Sequence, residues 1–125
     1  MDIYGIGTDI IEIERIKNSL NKNLRLLDKM FSTEELVVLK EKNYKAESVA
    51  GNFSAKEAVV KSVGTGLRGF NLKDVQILRN DLNMPIVVPA GKFKDFLEEI
   101  DVVDIKVTIS HSKNYATATA IALRK

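Results

Sequence analysis

Ile105-Lys106-Val107-Thr108-Ile109-Ser110 and Tyr115-Ala116-Thr117-Ala118-Thr119-Ala120-Ile121-Ala122-Leu123 decide the fold of this chain. In the first run Ile105, Val107 and Ile109 alternate with Lys106, Thr108 and Ser110. In the second, Tyr115, Thr117, Thr119, Ile121 and Leu123 alternate with a row of four alanines, Ala116, Ala118, Ala120 and Ala122. A period of two sends successive side chains to opposite faces of a strand. Lys113-Asn114 supplies the turn, so the two runs are predicted to pair antiparallel. Side chains as small as alanine admit a close neighbour on their face, either a helix or another subunit.

Working outward, Ile3 to Ile11 reads as a further strand, with Gly5, Gly7 and Asp9 on one face and Tyr4, Ile6 and Thr8 on the other. Small residues on one face let another backbone or a ligand approach. A helix follows with Ile13, Ile16 and Leu20 in one stripe. It breaks near Asn21-Lys22-Asn23 and resumes over Leu24, Leu27 and Phe31. Ser32-Thr33-Glu34-Glu35 is a capping-box pattern and opens a short helix carrying Leu36 and Leu39. The next helix is predicted from Ala46 to Val63, stopped by Gly64-Thr65-Gly66. Val75 to Leu78 and Ile86 to Val88 flank Asn80-Asp81-Leu82-Asn83, the pattern of a hairpin. Phe93, Phe96, Leu97 and Ile100 have helical spacing. The class is α+β, an antiparallel β-sheet with helices packed on it. Its order is strands, then helices, then an antiparallel meander, without the βαβ alternation of a doubly wound sheet.

Composition narrows the functions. The 125 residues are 45% hydrophobic and 29% charged, ordinary values for one globular domain over 1–125. Cysteine is absent, which excludes a disulfide scaffold, a thiolate metal site and a catalytic thiol. A single histidine excludes a multi-histidine zinc site. Nineteen basic residues against 17 acidic ones leave a net charge of +2, too little for wholesale nucleic-acid binding. No apolar run is long enough to span a bilayer, and Met1-Asp2-Ile3-Tyr4 does not begin a signal peptide. The expectation is a cytoplasmic protein with neither nucleic acid nor membrane as partner.

The helix from Ala46 to Val63 holds the main anomaly. Val49, Phe53, Val60 and Val63 form its apolar stripe, and Lys56 and Glu57 fall inside the same angular span. Charges there need partners. A Glu57–Lys61 ion pair one turn apart would be a purely structural answer. A functional carboxylate is the alternative. Asp9, where the glycine-rich strand meets the first helix, either caps that helix or helps hold a hard cation. Mg2+ takes one or two carboxylates with water and substrate phosphates, which Asp9 and Glu57 together would satisfy. His111, the only histidine, is either a structural residue, the commoner role of a lone histidine, or a functional one, with Ser110, Ser112 and Lys113 as neighbours suited to phosphate. Gly64-Thr65-Gly66 either ends the helix or lines a phosphate site with amides, and it is no Walker loop. Arg15, Lys17, Lys22, Arg25 and Lys29 form a solvated basic face or a docking face for an acidic protein.

Several segments together resemble the holo-acyl-carrier-protein synthase family. They are Gly5-Ile6-Gly7-Thr8-Asp9-Ile10, Arg15-Ile16, Phe31-Ser32-Thr33-Glu34-Glu35-Leu36, Ala50-Gly51-Asn52-Phe53-Ser54-Ala55-Lys56-Glu57-Ala58 with Lys61, Gly64-Thr65-Gly66, and Ser110-His111-Ser112. The resemblance runs from about Ile3 to Leu123. It implies the 4′-phosphopantetheinyl transferase fold and transfer of the 4′-phosphopantetheine arm of coenzyme A to a serine hydroxyl of apo-acyl carrier protein. Adenosine 3′,5′-bisphosphate would be the other product. It further implies Mg2+ on Asp9 and Glu57, Lys61 beside the phosphates, and His111 with Ser112 in the coenzyme A pocket. Gly64, Thr65 and Gly66 would lie beside the nucleotide. Arg15, with Lys22 and Arg25, would receive the acidic acyl carrier protein. A homotrimer with active sites between subunits is implied too, and the alanine row would be its close packing. Glu57 and Lys61 are then the catalytic residues, with Glu57 or a metal-bound water as base.

One position departs from the family pattern. Many members have arginine where this chain has Asn52, so one phosphate contact is missing unless Lys56, Lys113 or Arg68 compensates. The departure favours a rival reading, a non-catalytic oligomeric module that binds coenzyme A or a nucleotide. The Asp9 and Glu57 pair argues for the enzyme.

Overall fold

A computed structural model describes residues 1–23 and 25–125; Leu24, expected on the resumed helix, lies outside the described residues. Along the chain come β1 (Asp2–Glu12), α1 (Ile13–Lys22), α2 (Leu26–Met30), α3 (Thr33–Glu41) and α4 (Ala46–Val63). A 3-10 turn (Leu72–Asp74), β2 (Val75–Arg79), β3 (Pro85–Pro89), α5 (Gly91–Glu99), β4 (Val102–His111) and β5 (Tyr115–Arg124) follow. The α+β class stands, but the second half is not one meander. β2 and β3 form a sheet of their own, and β1 closes on the last strand to give the order β1-β5-β4. Both neighbours of β5 run antiparallel to it.

The alanine row faces α4, not a second subunit. Ala118, Ala120 and Ala122 share a core with Ala55, Ala58, Val59 and Val63 of that helix. Ala116 joins Val49 and Ala50 in the neighbouring cluster beneath α1–α3. With only methyl groups between them, helix and sheet pack at short range. β1 goes further by dispensing with the methyl group. A Cβ on Gly5 would stand 2.0 Å from the Ser62 carbonyl oxygen, and one on Gly7 2.0 Å from that of Ala58. Gly7→Ala should therefore push α4 off the sheet and cost about 1–3 kcal/mol. A thermal melt reads this, and an unchanged midpoint would contradict the tight contact.

The opposite sheet face is open in the single chain. Ile6 and Ile10 are 67% and 66% exposed, with Thr8 between them. In register beside them on β5 stand Ile121, Thr119 and Thr117.

The helices begin and end as their local chemistry requires. Ser32 and Glu35 form the expected capping box at the start of α3, the Glu35 N–H donating to Ser32 Oγ at 3.2 Å and the Ser32 N–H to Glu35 Oε1 at 3.0 Å. α4 stops at Gly64, whose φ of 79° is the left-handed conformation glycine adopts without strain. α5 packs through Phe93 and Leu97, with Phe93 against Phe70 at a centroid distance of 4.8 Å. Among the described residues no helix is long and apolar enough to cross a membrane.

Candidate active site

Close approach of α4 to β1 builds the site. Gly5, Gly7 and Asp9 alternate onto the α4 face of β1, so Asp9 is the first side chain on that face after two glycines. α4 presents Glu57 and, one turn later, Lys61 toward it. Lys61 Nζ donates to Asp9 Oδ1 at 3.2 Å and to the Thr8 carbonyl at 3.0 Å. The Glu57–Lys61 pair expected as a structural alternative is not formed; Lys61 turns to β1 instead. Asp9 is held from behind, because Thr117 Oγ1 donates to its backbone carbonyl at 2.7 Å.

Glu57 is half-buried and strained electrostatically. Burial raises its carboxyl pKa first, the Asp9 carboxylate raises it further, and Lys61 partly opposes them. A hollow beside this pair is lined by Asp9, Glu57, Arg15, Ser19, Ile16 and Phe53, among others. Arg15 thus stands on the rim of the acidic pair, exposed on α1. Lys22 ends α1 and Arg25 precedes α2, both exposed and further from that hollow. Gly64-Thr65-Gly66 leaves α4 one turn past Lys61, on the exposed side.

His111 is not brought to Asp9 and Glu57. It sits at the end of β4 beside a second hollow of about 320 Å3, which Ser48, Gly51, Asn52, Arg79 and Lys42 also line. Ser48, Gly51 and Asn52 project from a face of α4 roughly opposite Phe53 and Glu57, given 3.6 residues per turn. The two hollows therefore lie on different faces of the helix. Ser112 closes the β4–β5 turn, its N–H donating to the Tyr115 carbonyl at 2.8 Å and its hydroxyl accepting the Tyr115 N–H at 3.3 Å.

Lys56 does not stand in for the missing arginine. It is fully buried and paired with Glu35, and it lies 5.2 Å from the Phe31 ring centroid. Burial lowers its pKa, and the Glu35 charge opposes the drop. Glu35 also accepts the Ile77 N–H on Oε2 at 3.0 Å, tying α3, α4 and β2 at one point. Sequence reasoning passed over Arg79 and Lys42, which sit at element ends with no motif around them. It also passed over Glu35 as the partner of Lys56, although a lysine on an apolar stripe demands an acid.

Comparison with known proteins gives the family of the chain. The profile described as 4′-phosphopantetheinyl transferase superfamily matches residues 5–120. The holo-[acyl-carrier-protein] synthase of Clostridium beijerinckii is 47% identical over 119 residues, 95% of this chain and 96% of that protein. The crystal structure of the Neisseria meningitidis synthase superposes with a TM-score of 0.92 at 29% identity, covering 98% of this chain and all of the other. The Bacillus anthracis synthase, solved in complex with CoA (3′,5′-ADP), gives 0.80 at 32% identity over 98% of both chains. The chain belongs to the 4′-phosphopantetheinyl transferase superfamily. Within it, the chain is a member of the holo-acyl-carrier-protein synthase enzymes.

Proposed function

We propose that residues 1–125 form one phosphopantetheinyl transferase domain. It moves the 4′-phosphopantetheine arm of coenzyme A onto a serine hydroxyl of apo-acyl carrier protein and releases adenosine 3′,5′-bisphosphate. The observation that carries this reading is the Asp9–Lys61–Glu57 cluster, two carboxylates and an ammonium set at the contact of α4 with β1.

Mg2+ fits the donor set. Asp9 and Glu57 offer hard oxygen ligands and line one hollow, and burial first and the Asp9 carboxylate second raise the Glu57 pKa. No third acidic or histidine residue joins them among the described residues, leaving phosphate oxygens and water to complete the shell. When bound, the cation would neutralise charge on the pyrophosphate. Lys61 adds positive charge beside the phosphates. The carrier serine oxygen attacks the phosphorus next to pantetheine, and the bond from that phosphorus to the bridging oxygen breaks toward the bisphosphate. Glu57, with its proton affinity raised, is suited to receive the serine proton. Gly64, Thr65 and Gly66 border the nucleotide, and His111 with Ser112 contacts it from the second hollow.

With the two hollows on different faces of α4, a complete site takes His111 from one copy and Asp9 with Glu57 from another. The open face of Ile6, Thr8 and Ile10 gives a second copy a surface to cover. We assign a homotrimer in the cytoplasm. Arg15, Lys22 and Arg25 receive the acidic carrier. Arg15→Glu is expected to weaken carrier binding roughly tenfold or more while coenzyme A affinity stays within about twofold. Titration of each ligand separately checks this, and equal losses would remove the docking role.

The test of the reaction is the intact mass of apo-acyl carrier protein after incubation with the protein and coenzyme A, with Mg2+ or with chelator. A gain of one phosphopantetheine arm only with Mg2+ supports the whole reading. A gain that survives chelation removes the metal. No gain, despite coenzyme A binding, points to the binding module.

A further inference from the structure

α4 lies on a smooth floor. Gly5 and Gly7 of β1 and Ala118, Ala120 and Ala122 of β5 meet it with nothing larger than a methyl group. Such a floor brings helix and sheet close, but it offers few ridges to oppose a turn of the helix about its own axis. Directional contacts are left to do so. Among the described residues, three side chains of α4 donate hydrogen bonds to other elements. Ser54 Oγ reaches the Ala116 carbonyl only at 3.5 Å. Lys61 holds Thr8 and Asp9, but its side chain is 56% exposed and belongs to the site itself. The third is Lys56, fully buried against Glu35.

Glu35 is fixed in turn. Its Oε1 accepts the Ser32 N–H as well as the Lys56 ammonium, and its Oε2 accepts the Ile77 N–H. The acid is thereby tied to the start of α3 and to β2, and it grips α4 from outside the main sheet. Lys56 immediately precedes Glu57, about 100° away around the helix. Any turn of α4 that slackens the grip on Lys56 carries Glu57 with it. Side chains end about 5–6 Å from a helix axis, so a turn of about 20° moves a carboxylate by roughly 2 Å. Apolar groups of similar size often serve stability as well as a buried ion pair does, so stability alone does not account for this one.

We propose that Lys56 and Glu35 are a positioning pair for the reaction: they fix the rotation of α4 and so aim Glu57 at Asp9. Lys56 has no exposed surface, touches no substrate and acts through Glu57. The inference rests on the transferase reading above.

The experiment uses the full chain and two variants that remove both charges, Lys56→Met with Glu35→Leu and Lys56→Met with Glu35→Gln. Thermal melts define a temperature at which wild type and variants are folded. There, kcat and KM are measured for coenzyme A and for apo-acyl carrier protein at saturating Mg2+. Binding of Mn2+, in the presence of coenzyme A, is followed separately by electron paramagnetic resonance. Both variants should keep each KM within about threefold, lose kcat by about 10- to 100-fold and bind Mn2+ about tenfold more weakly. A pair that only stabilised the chain would leave kcat and Mn2+ affinity unchanged in folded protein. Wild-type kcat in a folded variant therefore overturns the proposal, as does a loss expressed in KM with kcat retained. Failure of both variants to fold at any temperature assigns the pair to stability and also overturns it. If wild type transfers nothing, the transferase reading falls and this inference with it. If wild type transfers and a folded variant matches it, this inference falls alone.

Discussion

In Glu57→Gln, transfer should fall by roughly a thousandfold or more, while the melting midpoint measured without Mg2+ stays level or rises. The two effects share one cause. Glu57 is half-buried and faces the Asp9 carboxylate, so its charge is unwelcome in the folded chain. Removing that charge relieves the repulsion and removes a metal ligand and proton acceptor together. The sign with pH follows. The folded chain holds the Glu57 proton more tightly than the unfolded chain does. Its contribution to stability is full below the unfolded pKa and is lost as pH rises through the higher folded value. The glutamine variant should show a flatter decline over that window. Carrier mass and melts at several pH values are the measurements. Full activity in the variant would remove Glu57 from the chemistry.

Lys56→Ala or Glu35→Ala should each destabilise the protein by about 3–5 kcal/mol, because either leaves an uncompensated buried charge. The exposures are 0% and 2%, so water cannot rescue the survivor. The double change Lys56→Met with Glu35→Leu should recover most of the loss, since apolar groups of similar size often replace a buried pair at little cost. Glu35 also anchors the Ser32 and Ile77 N–H groups, so its loss should be the larger. Urea unfolding of the four proteins tests this. Losses below about 1 kcal/mol in the single variants would mean that the pair is hydrated in solution.

Much of the fold was legible from periodicity. Ala46 to Val63 has the bounds observed for α4, with its glycine stop. The capping box opens α3, and the alanine strand pairs with its predicted partner. What failed was non-local. Nothing in a local pattern says that β1 seeks β5 rather than a neighbour, or that the alanines meet a helix of the same chain. The site divides in the same way. Asp9 and Glu57 each stood out by residue type, but their meeting depends on two glycines whose reason for being small is α4 itself. Lys56 was offered as a phosphate ligand because its charge was visible and its burial was not. Arg79 carried no signal until folding placed it on the hollow that Asn52 and His111 also line.

The central strand of the main sheet is also its last, which bears on how the molecule is made. Thr8 donates to the carbonyl of Ala118 across 110 positions of sequence. Contacts between such distant segments are slow to form because the loop entropy must be spent first. During synthesis α1, α3 and α4 can form as they emerge, but β1 has no partner until residues 115–124 have left the ribosome. Through that interval Ile3, Ile6 and Ile10 lie on an unpaired strand, the kind of edge that recruits other chains. Closure of the sheet therefore waits for β5, and the tempo of synthesis up to that strand sets how long β1 remains vulnerable to aggregation.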